Sequence, residues 1–131
     1  MRIGLLLAGC VSLAGCETIE NRPTNVFGIW GGPHIGAVFR GGIGELQFDC
    51  AGGTIDDPIP ARDGPFTAVG SYRAGQPGPV RVGQIYRNQR ATYSGQMDKK
   101  VMTLNILLED NSTLGPFTLT EGQAPEITRC L

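Results

Sequence analysis

His34 is the sole histidine of this 131-residue chain, so any Ser-His-Asp relay would have to run through it. No Gly-x-Ser-x-Gly elbow accompanies it, and Ser71 and Ser94 sit in alternating strand patterns. Beside Gly32-Pro33, His34 reads as a surface or strand-end residue, and the chain is read as not an enzyme. Asp56, Asp57 and Asp63 could offer oxygens to a hard cation, but their spacing lacks the calcium-loop pattern and the stretch reads as a solvated loop. One histidine cannot start a zinc set, and the glycines come as turn pairs, not as a phosphate loop. No metal and no cofactor is therefore expected. Arg81, Arg87 and Arg90 form the only basic cluster. Interleaved with Tyr86 and Tyr93, they could receive an anion or an acidic partner; alternating exposed strand residues would leave the same pattern.

The four cysteines divide by position. Cys10 and Cys16 lie in or at the end of an apolar opening, residues 3–15, that follows Met1-Arg2 and holds neither charge nor proline. It is too short to span a bilayer, which takes about 20 apolar residues, and reads as the apolar part of an export signal. Leu13-Ala14-Gly15-Cys16 closes it. An earlier match, Leu7-Ala8-Gly9-Cys10, leaves only residues 3–7 ahead of its cysteine. These residues resemble the cleavage box of bacterial lipoproteins. The resemblance implies that residues 1–15 are a signal peptide, and that Cys16 carries a diacylglyceryl thioether and an acylated (palmitate-type) amino group. Several acyl chains together would then hold the protein at a membrane. Glu17 in place of Asp after the cysteine favours, by the same resemblance, the outer membrane of the cell envelope, facing the periplasm. The alternative is a soluble secreted protein with a cysteine near its start.

Residues 16–26 form a polar, lipidated tether, and residues 27–131 form one domain. With Cys16 given to lipid, Cys50 and Cys130 are left as an even pair in a disulfide-permissive compartment. A bridge between them is predicted, worth ~4.5 kcal/mol on chain-entropy grounds; the alternative is two buried free thiols. The net charge of −1 leaves no electrostatic footprint for nucleic acid.

The elements that must position these groups are strands. Twenty glycines and nine prolines argue for many turns. Strands are predicted over 27–32, 34–40, 43–50, 65–74, 90–97, 102–109 and 114–120, with 80–86 extended and 126–131 a final strand carrying Cys130. Gly41-Gly42 joins the second and third as a hairpin. Gly52-Gly53 opens a looser stretch, residues 87–89 form a turn, and Pro58 and Pro60 rule out a central strand. No segment after residue 15 has a helical period. The fold class is all-β: a small antiparallel meander barrel of about eight short strands, with a two-sheet β-sandwich as the alternative. Register is imperfect near the cysteines: Cys50 shares a face with Phe48, whereas Cys130 alternates with Ile127.

Gly28-Ile29-Trp30, the short meander strands and the paired cysteines resemble small envelope barrels, among them lipocalin-like lipoproteins and small-barrel inhibitors of secreted metalloproteases. Trp30-Gly31-Gly32, Phe48-Asp49-Cys50 and Tyr93-Ser94-Gly95 look like those of other small bacterial lipoproteins. The expected function is a non-catalytic binding or interaction domain held at the membrane, its partner a protein or a small apolar ligand. The alternative is a protease inhibitor acting through the tether. With Trp30, Phe39, Phe48, Phe66 and Phe117 to house, the interior is expected to be mostly filled, and Trp30 to plug one end unless it serves as a ligand platform.

Overall fold

The computed structural model describes residues 24–75 and 88–128. Eight strands close into an antiparallel barrel in sequence order: β1 (Gly28–Gly32), β2 (Ile35–Arg40), β3 (Ile43–Phe48), β4 (Ala51–Ile55), β5 (Gly64–Ala74), β6 (Asn88–Asp98), β7 (Val101–Leu108) and β8 (Thr113–Glu121). β1 pairs with β8 through Trp30–Glu121 and Gly31–Thr120, so the sheet has no free edge. The barrel, not the sandwich, is the architecture.

Two-residue connections set the register. Gly41 and Gly42 have φ of 63° and 83° and join Arg40 to Ile43. Positive φ at both centres matches the right-handed strand twist, and glycine reaches it without strain. Pro33-His34, Asp49-Cys50 and Lys99-Lys100 make equally short connections.

Alternation then sorts side chains. Ile35, Ala37 and Phe39 on β2, Leu46 and Phe48 on β3, and Met102, Leu104 and Ile106 on β7 are buried. Their neighbours Glu45, Gln47, Asn105 and Leu107 face solvent. An eight-stranded barrel is about wide enough for side chains to fill, and the buried core runs from Phe66, Ala68, Ala91, Tyr93 and Met97 round to Trp30 and Leu119. Tyr93 is fully buried and donates its hydroxyl to the Ser71 carbonyl at 2.6 Å. A buried phenol needs such a partner. Trp30, 3% exposed, donates Nε1–H to the Phe27 carbonyl at 3.1 Å, so it is a core residue and no open platform.

The lower end of the barrel, where β1 starts, is closed by the chain leading into it. Val26 donates to the Ile59 carbonyl and Ala61 to that of Thr24, and Val26 and Ile59 are buried. At the upper end Phe48 packs against Tyr72 and Phe117, with ring centroids 5.6 and 5.3 Å apart.

Four expectations need correction. The stretch after Gly52 is a strand, β4, paired with β3 and β5; its glycines carry no alternation signal, and pairing with both neighbours orders them. Asn88 and Gln89 belong to β6, paired with Arg73 and Tyr72, not to a turn. β3 stops at Phe48, and Cys50 sits in the turn with φ of 58°, so it does not continue the Leu46–Phe48 face. Residues 126–128 form no ladder: Glu126 makes one isolated bridge to Pro33. Between Leu104–Phe117 and Ile106–Leu114 the β7–β8 register slips by one residue. This bulge returns Leu114 to the core side together with Phe117. The extended reading of 80–86 falls outside the described residues.

Candidate functional site

The main concavity among the described residues, about 650 Å³, lies on the outer wall over β1–β5. Its construction follows from two cross-strand rows. Ile29, Val38, Glu45, Thr54 and Ser71 pair in succession across the strands. The next row runs Gly31, Gly36, Gln47, Gly52, Arg73. Gly36 and Gly52 in this row remove side chains that would fill the wall, leaving a trough with Ile29 and Val38 on one side.

Pro125 forms its far lip. A Cβ on Gly36 would stand 2.5 Å from Pro125 Cβ, and one on Gly31 would overlap the Gln123 carbonyl. These glycines let residues 122–128 lie across the outside of β1 and β2. That crossing is pinned by Glu126 N–H to the Gly32 carbonyl (3.0 Å), His34 N–H to the Glu126 carbonyl (2.8 Å) and Thr128 N–H to Asp49 Oδ1 (2.7 Å). It also explains why Gly36 is buried although it lies on the outer face of β2.

The lining combines exposed Ile29 with Glu45, Gln47 and Arg73 and includes no histidine, serine or cysteine. It is suited to holding a mixed apolar and hydrogen-bonding surface.

The residues singled out from sequence fall elsewhere. His34 occupies the β1–β2 turn with φ of 67°, its side chain 65% exposed, and donates Nδ1–H to Asp49 Oδ2 at 2.5 Å. The Asp49 carboxyl is held below the usual carboxylate range, first by the Thr128 amide and then by His34. The pair therefore braces the C-terminal crossing. Asp57 accepts the Val69 amide (3.0 Å) and Asp63 the Lys99 amide (2.7 Å), so two of the three loop carboxylates secure local backbone. No cluster of three metal-ligating side chains occurs among the described residues.

Arg90 lies in a second outer recess that also contains Asp56 and Glu109. Glu109 Oε2 accepts the Arg90 amide at 2.7 Å. Two carboxylates in the same recess oppose an anion site there. Tyr93 points into the core and cannot join a basic surface cluster, contrary to the interleaved reading. Arg81, Arg87, Tyr86, Cys16 and Cys130 lie outside the described residues.

The trough was not legible beforehand. Its floor glycines were read as part of strand 34–40 and of the looser stretch from Gly52, and its lip, Pro125, belongs to a segment read as a turn. Only the alternation of Glu45 and Gln47 with Leu46 and Phe48 marked one wall as solvent-facing. No family model, curated protein or solved structure matches the chain.

Proposed function

We propose that this chain is a lipid-anchored protein of the bacterial cell envelope whose barrel is a non-catalytic binding domain, taking a segment of a partner protein in the trough over β1–β5. The observation that carries the reading is the trough itself: an open, glycine-floored groove on an otherwise filled barrel, with apolar Ile29 and Val38 facing Glu45, Gln47 and Arg73. The residues that line it would anchor apolar side chains centrally and satisfy backbone groups at the rim, as interfaces do.

A photo-crosslinking residue at Gln47 should yield a discrete adduct in intact cells. The same residue at Asn105, exposed on β7 on the far side of the barrel, should not, and Val38→Arg should abolish the Gln47 adduct. Equal labelling from both positions, or none from Gln47, rules the trough out as the binding site.

The anchor belongs to the same proposal: residues 1–15 as export signal, a lipid on Cys16, and residues 17–23 as tether, the expected tether being shortened because Thr24, Asn25 and Val26 are bonded to the barrel's lower end. Intact mass and detergent partitioning of the protein, with and without Cys16→Ser, test it. A Cys50–Cys130 bridge is also proposed. The Thr128 amide on Asp49 brings the chain beside the Asp49-Cys50 turn, two residues before Cys130. An intact mass that does not change on reduction would exclude the bridge.

A further inference from the structure

We propose that the lower rim of the barrel is a membrane-contact surface, with Phe27, Ile43 and Val101 resting at the headgroup level of the phospholipid bilayer that holds the chain. This rests on the lipid-anchor reading above. Of the six large apolar side chains exposed among the described residues, these three stand 56%, 48% and 36% open. All three belong to one end. Phe27 precedes β1, while Ile43 and Val101 open β3 and β7. In the barrel order β7, β8, β1, β2, β3 they stand on alternate strands of one side of the rim. Of the other three, Ile29 lines the trough, and Val69 and Leu107 stand apart at mid-β5 and at the far end of β7.

Among the described residues the opposite rim is polar: its turns carry His34 and Asp49, then Asp110, Asn111 and Ser112, with Ser112 hydrogen-bonded to Asp110. Among those residues the exposed apolar side chains of the rims gather at the end where the chain enters. Thr24 is fixed there by its carbonyl bond to the Ala61 amide at 2.9 Å.

The leash is short. Eight residue steps separate Cys16 from Thr24, a reach of at most ~28 Å when fully extended. Eleven-residue strands such as β5, tilted as in small barrels, stand ~28 Å tall. A leash no longer than the barrel keeps the lower rim the nearer one. Exposed apolar side chains on a body already confined to a surface are then buried at the interface without a further cost in translational freedom.

Charge on this rim is mixed. Arg40, Arg62, Lys99 and Lys100 share it with Asp63, Asp98 and Glu121. The contact is therefore apolar and should persist at high salt and without anionic lipid.

The test uses the mature chain in phosphatidylethanolamine–phosphatidylglycerol vesicles, with and without dibrominated phosphatidylcholine as a contact quencher. Ile43→Trp and Val101→Trp report from the lower rim, Asn111→Trp from the upper one; buried Trp30 supplies the common background. A second arm attaches the Cys16→Ser chain through an N-terminal hexahistidine to nickel-chelating lipid. It supplies the tether whether or not Cys16 is lipidated, so loss of the lipid-anchor reading and loss of the contact are separable. In both arms the added emission of the Ile43→Trp and Val101→Trp variants should fall by more than about half in brominated relative to unbrominated vesicles, as for indoles at the interface. Asn111→Trp should be unaffected. Equal quenching at both rims, or none at the lower rim in the nickel-lipid arm, overturns the proposal.

Discussion

Tyr93 and Gly53 form a lock inside the barrel that a double-mutant cycle can open. The Tyr93 hydroxyl reaches the Ser71 carbonyl at 2.6 Å, and a Cβ on Gly53 would stand 2.5 Å from both that hydroxyl and that carbonyl. Gly53 is thus the vacancy through which the bond forms. Tyr93→Phe keeps the ring and removes one hydrogen bond in a fully buried position, which costs about 1–1.5 kcal/mol. Gly53→Ala forces backbone or ring to move and costs about 1–3 kcal/mol. In the double variant one of the two overlaps has already gone, and the hydrogen bond cannot be lost twice. The combined cost should therefore fall short of the sum by about 1 kcal/mol. Urea unfolding followed by circular dichroism gives the three differences. Each kcal/mol should lower the melting temperature by roughly 4–8 °C in a domain of this size. Additivity within about 0.3 kcal/mol would show that the glycine and the hydroxyl are independent, and the packing argument would fail.

Further outcomes test other parts of the structure. Burial pushes the Tyr93 phenol well above its usual 10. The folded protein then holds this proton longer than the unfolded chain, so the associated stability is complete below pH 10 and is lost as pH rises from there through the folded value. Absorbance titration should show Tyr93 ionising only with unfolding, and its phenolate forming while the protein is still native would contradict its burial. Leu104→Ala, in a fully buried position, should cost about 2–5 kcal/mol, whereas Leu107→Ala, 43% exposed on the same strand, should stay within about 0.5 kcal/mol; similar costs would refute the β7 register. Asp49 holds its proton less tightly when folded, so the support it lends is present above its ordinary 3.8 and fades as pH falls through the depressed value. Amide exchange at Thr128 should accelerate in that window, and at neutral pH in Asp49→Ala; unchanged exchange would separate the C-terminal crossing from this carboxylate. Gly95→Ala, whose Cβ would overlap the Thr103 carbonyl, should abolish folding as judged by soluble yield and near-ultraviolet dichroism.

Strands β3, β5, β6, β7 and β8 were readable because alternation is a local signal; β1 and β2 were legible as strands too, although the two faces of β2 are poorly distinguished in sequence. One face of each strand is paid for by burial, and turn residues such as Gly41-Gly42 and Lys99-Lys100 bracket them. β4 was not readable. Ala51-Gly52-Gly53-Thr54 has no contrast of its own, and its order comes from the ladders on either side. The trough failed to show for the same reason: its glycines acquire meaning only beside Gln47 and beneath Pro125. His34 and the acidic loop were legible as exposed features, but the bonds they make depend on partners 12 and more residues away in sequence, Asp49 and the Thr128 segment, Val69 and Lys99.

Composition, turn chemistry and two-residue periodicity are properties of neighbouring residues, and they were enough to specify an all-β meander with its apolar faces assigned. Closure of β1 onto β8, the β7–β8 bulge and the path of residues 122–128 across the outer wall are not encoded in any short window. The closure and that path depend on contacts between residues some ninety positions apart, such as Trp30 with Glu121 and Gly32 with Glu126. The sheet has to curl on itself before those groups meet, and the groove and the apolar rim exist only once it has.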